Sequence, residues 1–539
     1  MRLTSRLVAA ILKNVFTMSA ATGLSRITGL LRTLVQAAVV GSGTVVAEAY
    51  TVSNTLPNQV YELFMGGLLS SIFIPLLIDR LVQHGEEDAR RLTNALLTIV
   101  IPVLTLVALL GAVFAGPLID LTTNWQEEGK LSAAEAEEAT ALAVLMFRVF
   151  AAQIVFYGLG ALAIGVLNSH RKFFLATFAP VLNNVVVILS FGAYALIVPR
   201  DPTLAVYTLA AGTTLGVAVM SLVLVPSVLR LGYRPRPVFG HPALLPAAKL
   251  AGPLFLFVAS SVGVQVAANL FGSTFSGASN LWYAFIVFQL PYGVFVVAIA
   301  TALMPELSER FSNSDDDGYR RDLSFGLRTM AFIVVPASVG MVALAEPIVG
   351  LLYERGNFTA QDTQAVAVLL ACYGAGLIGY AAYFILVRSF YARQNTLTPA
   401  LLNVGLLALY VALAFGVSRV LGLVGVALAF SGAYLVLAGL LMVRMRREIG
   451  AVDGRRLAVS LAKALAAGAV MFGCIEAVLF FTGVGTSLVE RVVIVALAGG
   501  VSGAAYLGAA YLLGADELRA AVALARRRSV GQAREVEEL

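Results

Sequence analysis

Along the chain, apolar stretches of about 20 residues or more alternate with short polar connections, the pattern of helices crossing a hydrocarbon layer about 30 Å thick. The pattern predicts spans near 13–40, 46–79, 92–118, 139–167, 174–198, 203–229 and 245–273. Further spans follow near 279–307, 325–351, 364–390, 398–418, 422–443, 457–482 and 488–514. The stretch 46–79 contains Pro57 and reads either as one long interrupted span or as a re-entrant hairpin. Backbone polar groups in lipid must be satisfied internally, and these runs are far longer than barrel strands. The predicted fold class is therefore an all-α polytopic membrane protein of about fourteen transmembrane helices.

Composition supports lipid as the solvent. Of 539 residues, 59% are hydrophobic and 13% are charged, whereas a soluble domain carries roughly 25% charged residues. The first apolar run lacks a small-residue cleavage site after it and reads as a cytosolic lead into a retained helix. The net charge of +6 is distributed unevenly. Counting connections on alternate sides places 26 Lys and Arg on the side of both termini and 5 on the other. By the positive-inside rule the termini are cytosolic, as expected of a multi-pass protein of the inner (plasma) membrane. The basic tail with Arg526 to Arg528 reads as a topology anchor, so no nucleic-acid partner is expected.

Enzyme chemistry is not encoded in any recognisable motif. There is no P-loop and no Ser-His-Asp or Cys-His grouping. Cys372 and Cys474 lie in apolar runs as small buried hydrophobes, and His84, His170 and His241 show no metal-ligand spacing. Neither a metal nor a cofactor is predicted.

The chain also repeats itself. Pro75-Leu76-Leu77-Ile78-Asp79-Arg80 and Pro305-Glu306-Leu307-Ser308-Glu309-Arg310 share P-x-L-x-[DE]-R at helix ends 230 residues apart. Pro180-Val181-Leu182-Asn183-Asn184-Val185 and Pro399-Ala400-Leu401-Leu402-Asn403-Val404 share P-x-L-x-N-V at helix starts 219 residues apart. An offset of six helices preserves orientation, so these are two parallel six-helix repeats plus two extra C-terminal helices, the plan of alternating-access transporters. The expected divisions are an N-terminal lobe at 1–229, a C-terminal lobe at 230–445, two added helices at 446–514, and a basic then acidic cytosolic tail at 515–539.

Ionisable residues at membrane depth are costly in lipid and normally face an interior cavity. The first predicted span carries Arg26 and Arg32; the second carries Glu48, Asn58 and Glu62. Two guanidiniums suit a phosphate or pyrophosphate, whose oxygens they bind bidentately. Equally, the arginines could pair with Glu48 and Glu62 and simply lock two helices together. Gln289 is a further polar position in the eighth span.

Five segments then point to a family. Ser25-Arg26-Ile27-Thr28-Gly29-Leu30-Leu31-Arg32, Leu56-Pro57-Asn58 and Leu167-Asn168-Ser169-His170-Arg171-Lys172-Phe173 occur in the order seen in MurJ (MviN) lipid II flippases. Tyr353-Glu354-Arg355-Gly356-Asn357-Phe358-Thr359-Ala360 and Phe390-Tyr391-Ala392-Arg393-Gln394-Asn395-Thr396 complete the set. The chain thus resembles that family, within the multidrug/oligosaccharidyl-lipid/polysaccharide exporter superfamily, across residues 15–445. The resemblance implies movement of lipid II, an undecaprenyl-pyrophosphate-linked muropeptide, from the cytosolic to the outer leaflet for peptidoglycan synthesis. It implies substrate contacts from Arg26, Arg32, Glu48, Asn58, Glu62 and Gln289, with membrane lipids and cell-wall synthesis proteins as partners. Departures exist: Tyr61 and Gln289 stand where many members carry charge, and Tyr410 and Ala414 where some carry polar ion ligands. Export of another polyprenyl-linked glycan or a drug, or a non-transporting scaffold role in cell-wall synthesis, are the alternatives.

Overall fold

The computed structural model describes residues 2–62, 73–125, 131–450 and 452–519, with side chains from residue 21 onward apart from 249–251. Every regular element among them is helical. The first repeat comprises α1 (Arg2–Val40), α2 (Val45–Glu62), α3 (Ile74–Gln83), α4 (Gly85–Val113), α5 (Ala115–Thr122), α6 (Ala133–Ser169), α7 (Phe173–Ile197), α8 (Pro202–Leu222) and α9 (Val225–Arg230). The second comprises α10 (Leu244–Thr274), α11 (Ala278–Pro291), α12 (Val297–Ser312), α13 (Asp316–Ala343), α14 (Ala345–Tyr353), α15 (Ala360–Ala392) and α16 (Leu397–Ile449). Two more helices follow, α17 (Gly454–Thr482) and α18 (Leu488–Leu512).

Eleven helical stretches among the described residues are long and apolar enough to cross a membrane. One of these is α16, whose helix breaks at Gly422 (φ 57°, ψ −137°), a left-handed residue between the two spans expected at 398–418 and 422–443. With α1 and the α2–α3 stretch, which are outside those eleven, the arrangement is consistent with about fourteen spans. Residues 63–72 are outside the described set, as are 126–130 and the tail from 520. Two of the expected spans, 92–118 and 325–351, are broken at a residue of non-helical φ/ψ. Phe114 (φ −94°, ψ 24°) separates α4 from α5, and Leu344 (φ −102°, ψ 19°) separates α13 from α14. Each break precedes Ala-x-Pro, at Ala115-Gly116-Pro117 and Ala345-Glu346-Pro347. Proline lacks the N–H that a continuing helix needs but fits the first turn of a new one.

That correspondence extends to the connections. Arg171, after α6, and Gln394, after α15, both adopt φ 58°; Ser276 and Ser314, both in the second repeat, adopt φ 51° and 55°. In each case the left-handed residue bonds the carbonyl three residues back, and the next residue bonds the carbonyl five back from itself. Examples are Arg171 N–H to Asn168 O (3.0 Å) with Lys172 N–H to Leu167 O (2.8 Å), and Gln394 N–H to Tyr391 O (2.9 Å) with Asn395 N–H to Phe390 O (3.0 Å). These are Schellman-type helix ends formed without glycine. The two repeats therefore share the breaks at Phe114 and Leu344 and the helix ends at Arg171 and Gln394.

The chain divides into two compact units, residues 1–279 with 355–359, and residues 280–354 with 360–539. In the first, α1 packs on α7, α2 on α6, and α7 on α8. Buried Phe147, Phe150, Phe191 and Leu209 form part of its core, and α10 packs on α2 and α5. In the second, α15 and α16 pack so closely that a Cβ on Gly376 would fall 2.6 Å from the Ser431 Cα. The α17–α18 pair docks on α13 through Val335, Ala467, Met471 and Tyr506, whose hydroxyl donates to Phe332 O at 2.8 Å. At the far end of α18, Arg491 reaches Glu354 at 2.7 Å. Burial by itself would raise the Glu354 carboxyl, but hydrogen bonds from Arg491 and Thr363 hold it below its usual range.

The α15–α16 contact gives a direct test. Gly376→Val places carbon against the Ser431 backbone and should destabilise the protein by about 1–3 kcal/mol. Gly405, whose Cβ position has nothing within 4 Å, is the control: Gly405→Val should cost much less. Thermal unfolding of the detergent-solubilised variants reads the difference; equal midpoints would contradict the packing.

Candidate functional site

Glu48, one turn into α2, is fully buried. Its Oε1 accepts the Ser279 N–H at 2.9 Å and its Oε2 the Ala278 N–H at 3.1 Å. Those are the first two residues of α11, where unsatisfied N–H groups and the helix dipole favour a carboxylate. The Trp125 indole N–H points at Oε2 from 3.5 Å. Around this centre the connections grip one another within the first unit. The Gly43 N–H donates to Ser279 Oγ (2.9 Å), and the Asn124 N–H, after α5, donates to Ser273 Oγ on α10 (2.9 Å). Asn357, after α14, donates its N–H to Ala38 O on α1 (2.8 Å) and its amide to Val39 O (2.6 Å). The grip is reciprocal: the loop after α5 holds the end of α10, and the matching loop after α14 holds the end of α1. Backbone approaches this close need glycine. A Cβ on Gly356 (φ +60°) would lie 2.2 Å from Ala38 O, and one on Gly41 (φ +81°) 2.7 Å from Asn357 O.

A second polar group lies deeper in the same unit. Asn58 accepts a hydrogen bond from the Tyr157 hydroxyl (2.8 Å), and the Tyr61 and Tyr157 rings pack 4.8 Å apart. Arg32, half-buried on α1, interacts electrostatically with the phenols of Tyr50 and Tyr157, and Glu62 with those of Tyr61 and Tyr157. Tyr157 on α6 thus holds Asn58 through its hydroxyl, with Arg32 and Glu62 within electrostatic range. It stands in an otherwise apolar run, where spacing alone reads as core, so sequence reasoning missed it. Asn184 on α7 fixes the approach of α1 by donating to Thr28 Oγ1 (3.1 Å) and Ser25 O (3.3 Å). Arg26 and Glu62 are exposed on the protein surface.

The structure therefore sorts the predicted site residues. Asn58 is held by Tyr157, with Arg32 and Glu62 within electrostatic range of that phenol, whereas Glu48 belongs to the separate closure at the start of α11. Among the described residues neither Arg26 nor Arg32 forms an ion pair, and neither Glu48 nor Glu62 is salt-bridged. Locking of the first two helices by Arg–Glu pairs is not how they are held. Gln289 is exposed on α11 in the second unit, beside Phe288. There Phe288, Tyr373, Tyr380, Phe430 and Tyr434 form a block of edge-on and tilted rings, an apolar counterpart to the polar interior of the first unit.

Residues 36–496 match the family model described as lipid II flippase MurJ. The chain is 31% identical over 402 residues to the lipid II flippase MurJ of Burkholderia cenocepacia, covering 72% of this chain and 75% of that one. The chain belongs to the MurJ lipid II flippase family. It is also 29% identical over 484 residues to the probable lipid II flippase MurJ of Vibrio cholerae, covering 86% and 88% of the two chains. Among solved structures, a lipid II flippase MurJ in an inward closed conformation shares the fold with a TM-score of 0.71 at 23% identity, covering 90% of this chain and 97% of that one. An inward-facing multidrug resistance MATE family transporter of the MOP superfamily matches with a TM-score of 0.62 at 14% identity, covering 81% and 99%. The MurJ family match includes Glu48, Asn58, Tyr157 and Gln289, while Arg26 and Arg32 precede its first matched residue.

The closure around Glu48 has a measurable consequence. Glu48→Ala leaves two N–H groups of α11 and the indole without their acceptor, at a cost of roughly 1–3 kcal/mol. In a Trp282→Phe background, which leaves Trp125 as the sole tryptophan, the variant's emission should shift to longer wavelength as water reaches the ring. Unchanged emission would contradict the arrangement.

Proposed function

We propose that this protein carries lipid II from the cytosolic to the outer leaflet of the bacterial plasma membrane by alternating access, with both termini in the cytosol. Family membership supports the substrate. The observation that carries the site is Arg32: a guanidinium on an intramembrane helix with no carboxylate partner among the described residues. Such a charge is costly unless an anion completes it, and a pyrophosphate presents paired oxygens in the geometry a guanidinium binds. In this reading Arg26 and Arg32 contact the pyrophosphate, Tyr157 holds Asn58 and the Tyr61 ring in position, and Glu62 biases the local charge. Gln289 adds a neutral contact from the second repeat.

Access to the site is governed at the C-terminal end of α1, about two turns beyond Arg32. The two lobes, taken as 1–229 and 230–445, alternate between states that make and break the Glu48-centred grip, with 446–514 as an accessory pair. The six backbone and amide hydrogen bonds of that grip, two to Glu48 and one each to Ser279, Ser273, Ala38 and Val39, support this reading.

Arg32→Ala should abolish rescue of a flippase-depleted strain while the variant is inserted at the wild-type level. Normal rescue by that variant would sink the assignment of the pyrophosphate to Arg32.

A further inference from the structure

The second unit contains a basic cavity apart from the residues proposed to hold the pyrophosphate. Arg328 on α13, Arg455, Arg456, Ser460 and Lys463 on α17, and Asp516 and Glu517 beyond α18 line a space of about 260 Å³. Four cations face two acids. Glu517 is buried and is already engaged, accepting from Arg328 (3.1 Å) and from Ser460 Oγ (3.0 Å). Lys463 reaches the Gly514 carbonyl at 2.8 Å, and Arg456 meets Asp453 at 3.3 Å. That leaves Arg455 with no ion pair among the described residues, and the buried Nε of Arg328 with no acceptor. Asp516 is likewise outside any ion pair among the described residues, so four cations against two acids leave the lining at +2, and the cavity can take an anion that accepts from Arg328 while meeting the charge of Arg455.

Its position selects the kind of anion. The cavity sits where α17 begins and α18 ends, and Val459 on its wall is 47% exposed. Leu512 and Leu513 at the close of α18 are exposed, as are Leu465 and Val470 further along α17. An apolar, lipid-facing surface thus runs away from a cationic cavity at a helix end, which suits an amphiphile with an anionic head better than a free ion. The charge pattern puts this end on the cytosolic side. We propose that the cavity binds the phosphodiester headgroup of an anionic phospholipid of the inner leaflet, the acyl chains lying along α17 and α18. The lipid pins the added helix pair to α13 at the end opposite the Arg491–Glu354 bond.

The test uses the full-length protein purified from membranes and native mass spectrometry after exchange into phosphatidylglycerol or phosphatidylcholine. The wild type should retain phosphatidylglycerol in preference to phosphatidylcholine. Arg455→Ala with Lys463→Ala should lower that retention about tenfold or more, since each surface cation contributes roughly 1 kcal/mol to an anionic headgroup. The charge-preserving Arg455→Lys with Lys463→Arg should keep it. Because Lys463 also bonds Gly514, Arg455→Ala alone gives the same reading should the double variant fail to fold. Equal retention of the two lipids, or undiminished retention by the alanine variants, would overturn the proposal. So would displacement of the lipid by millimolar inorganic phosphate, which would make this a free-anion site.

Discussion

A carboxylate sealed from solvent against the first two N–H groups of a helix is the constraint on which the rest of this molecule turns. Removing Glu48 from water costs several kcal/mol, a cost offset only if charge-assisted hydrogen bonds and a favourable dipole replace its hydration. The start of α11 supplies both, and Trp125 covers the remaining approach. Because the N–H groups lie 230 residues along the chain from the carboxylate, the interaction brings the start of the second repeat to the first. The reciprocal loops around Asn124 and Asn357 then need only short backbone bonds, and glycines at 41 and 356 make room for them.

The repeat is faithful in backbone and unequal in chemistry. Helix breaks at Phe114 and Leu344 and left-handed ends at Arg171 and Gln394 show that the two halves fold by the same rules. Their interiors differ. One holds Asn58 against Tyr157 with Arg32 half-buried nearby; the other is filled by aromatic rings from α11, α15 and α16. Rings stacked edge to face are rigid and exclude charge. In the proposed cycle, one lobe holds the ligand's charge and the other supplies an apolar wall.

Much of this was legible in the sequence because the dominant signal was strong. Apolar runs longer than the hydrocarbon layer is thick leave little choice but helices, and P-x-L-x-[DE]-R repeated 230 residues apart disclosed the duplication. The breaks within the third and ninth spans were missed, although Ala-x-Pro at 115–117 and 345–347 carries the same offset and would have found them. The grouping of the site was harder. Glu48 and Glu62 look alike as acids on one helix, but the partners that distinguish them come from α11, α5 and α6. Tyr157 looks like any aromatic in a membrane helix until its hydroxyl is seen on Asn58.

The central claim is that the Glu48-centred grip must open for substrate to cross. A disulfide between cysteines placed at Ala38 and Asn357, whose backbones already share a 2.8 Å hydrogen bond, locks it directly. Lipid II translocation in reconstituted vesicles should stop when this bond is formed quantitatively and return on reduction. Translocation at the uncrosslinked rate through a fully bridged protein would contradict the account.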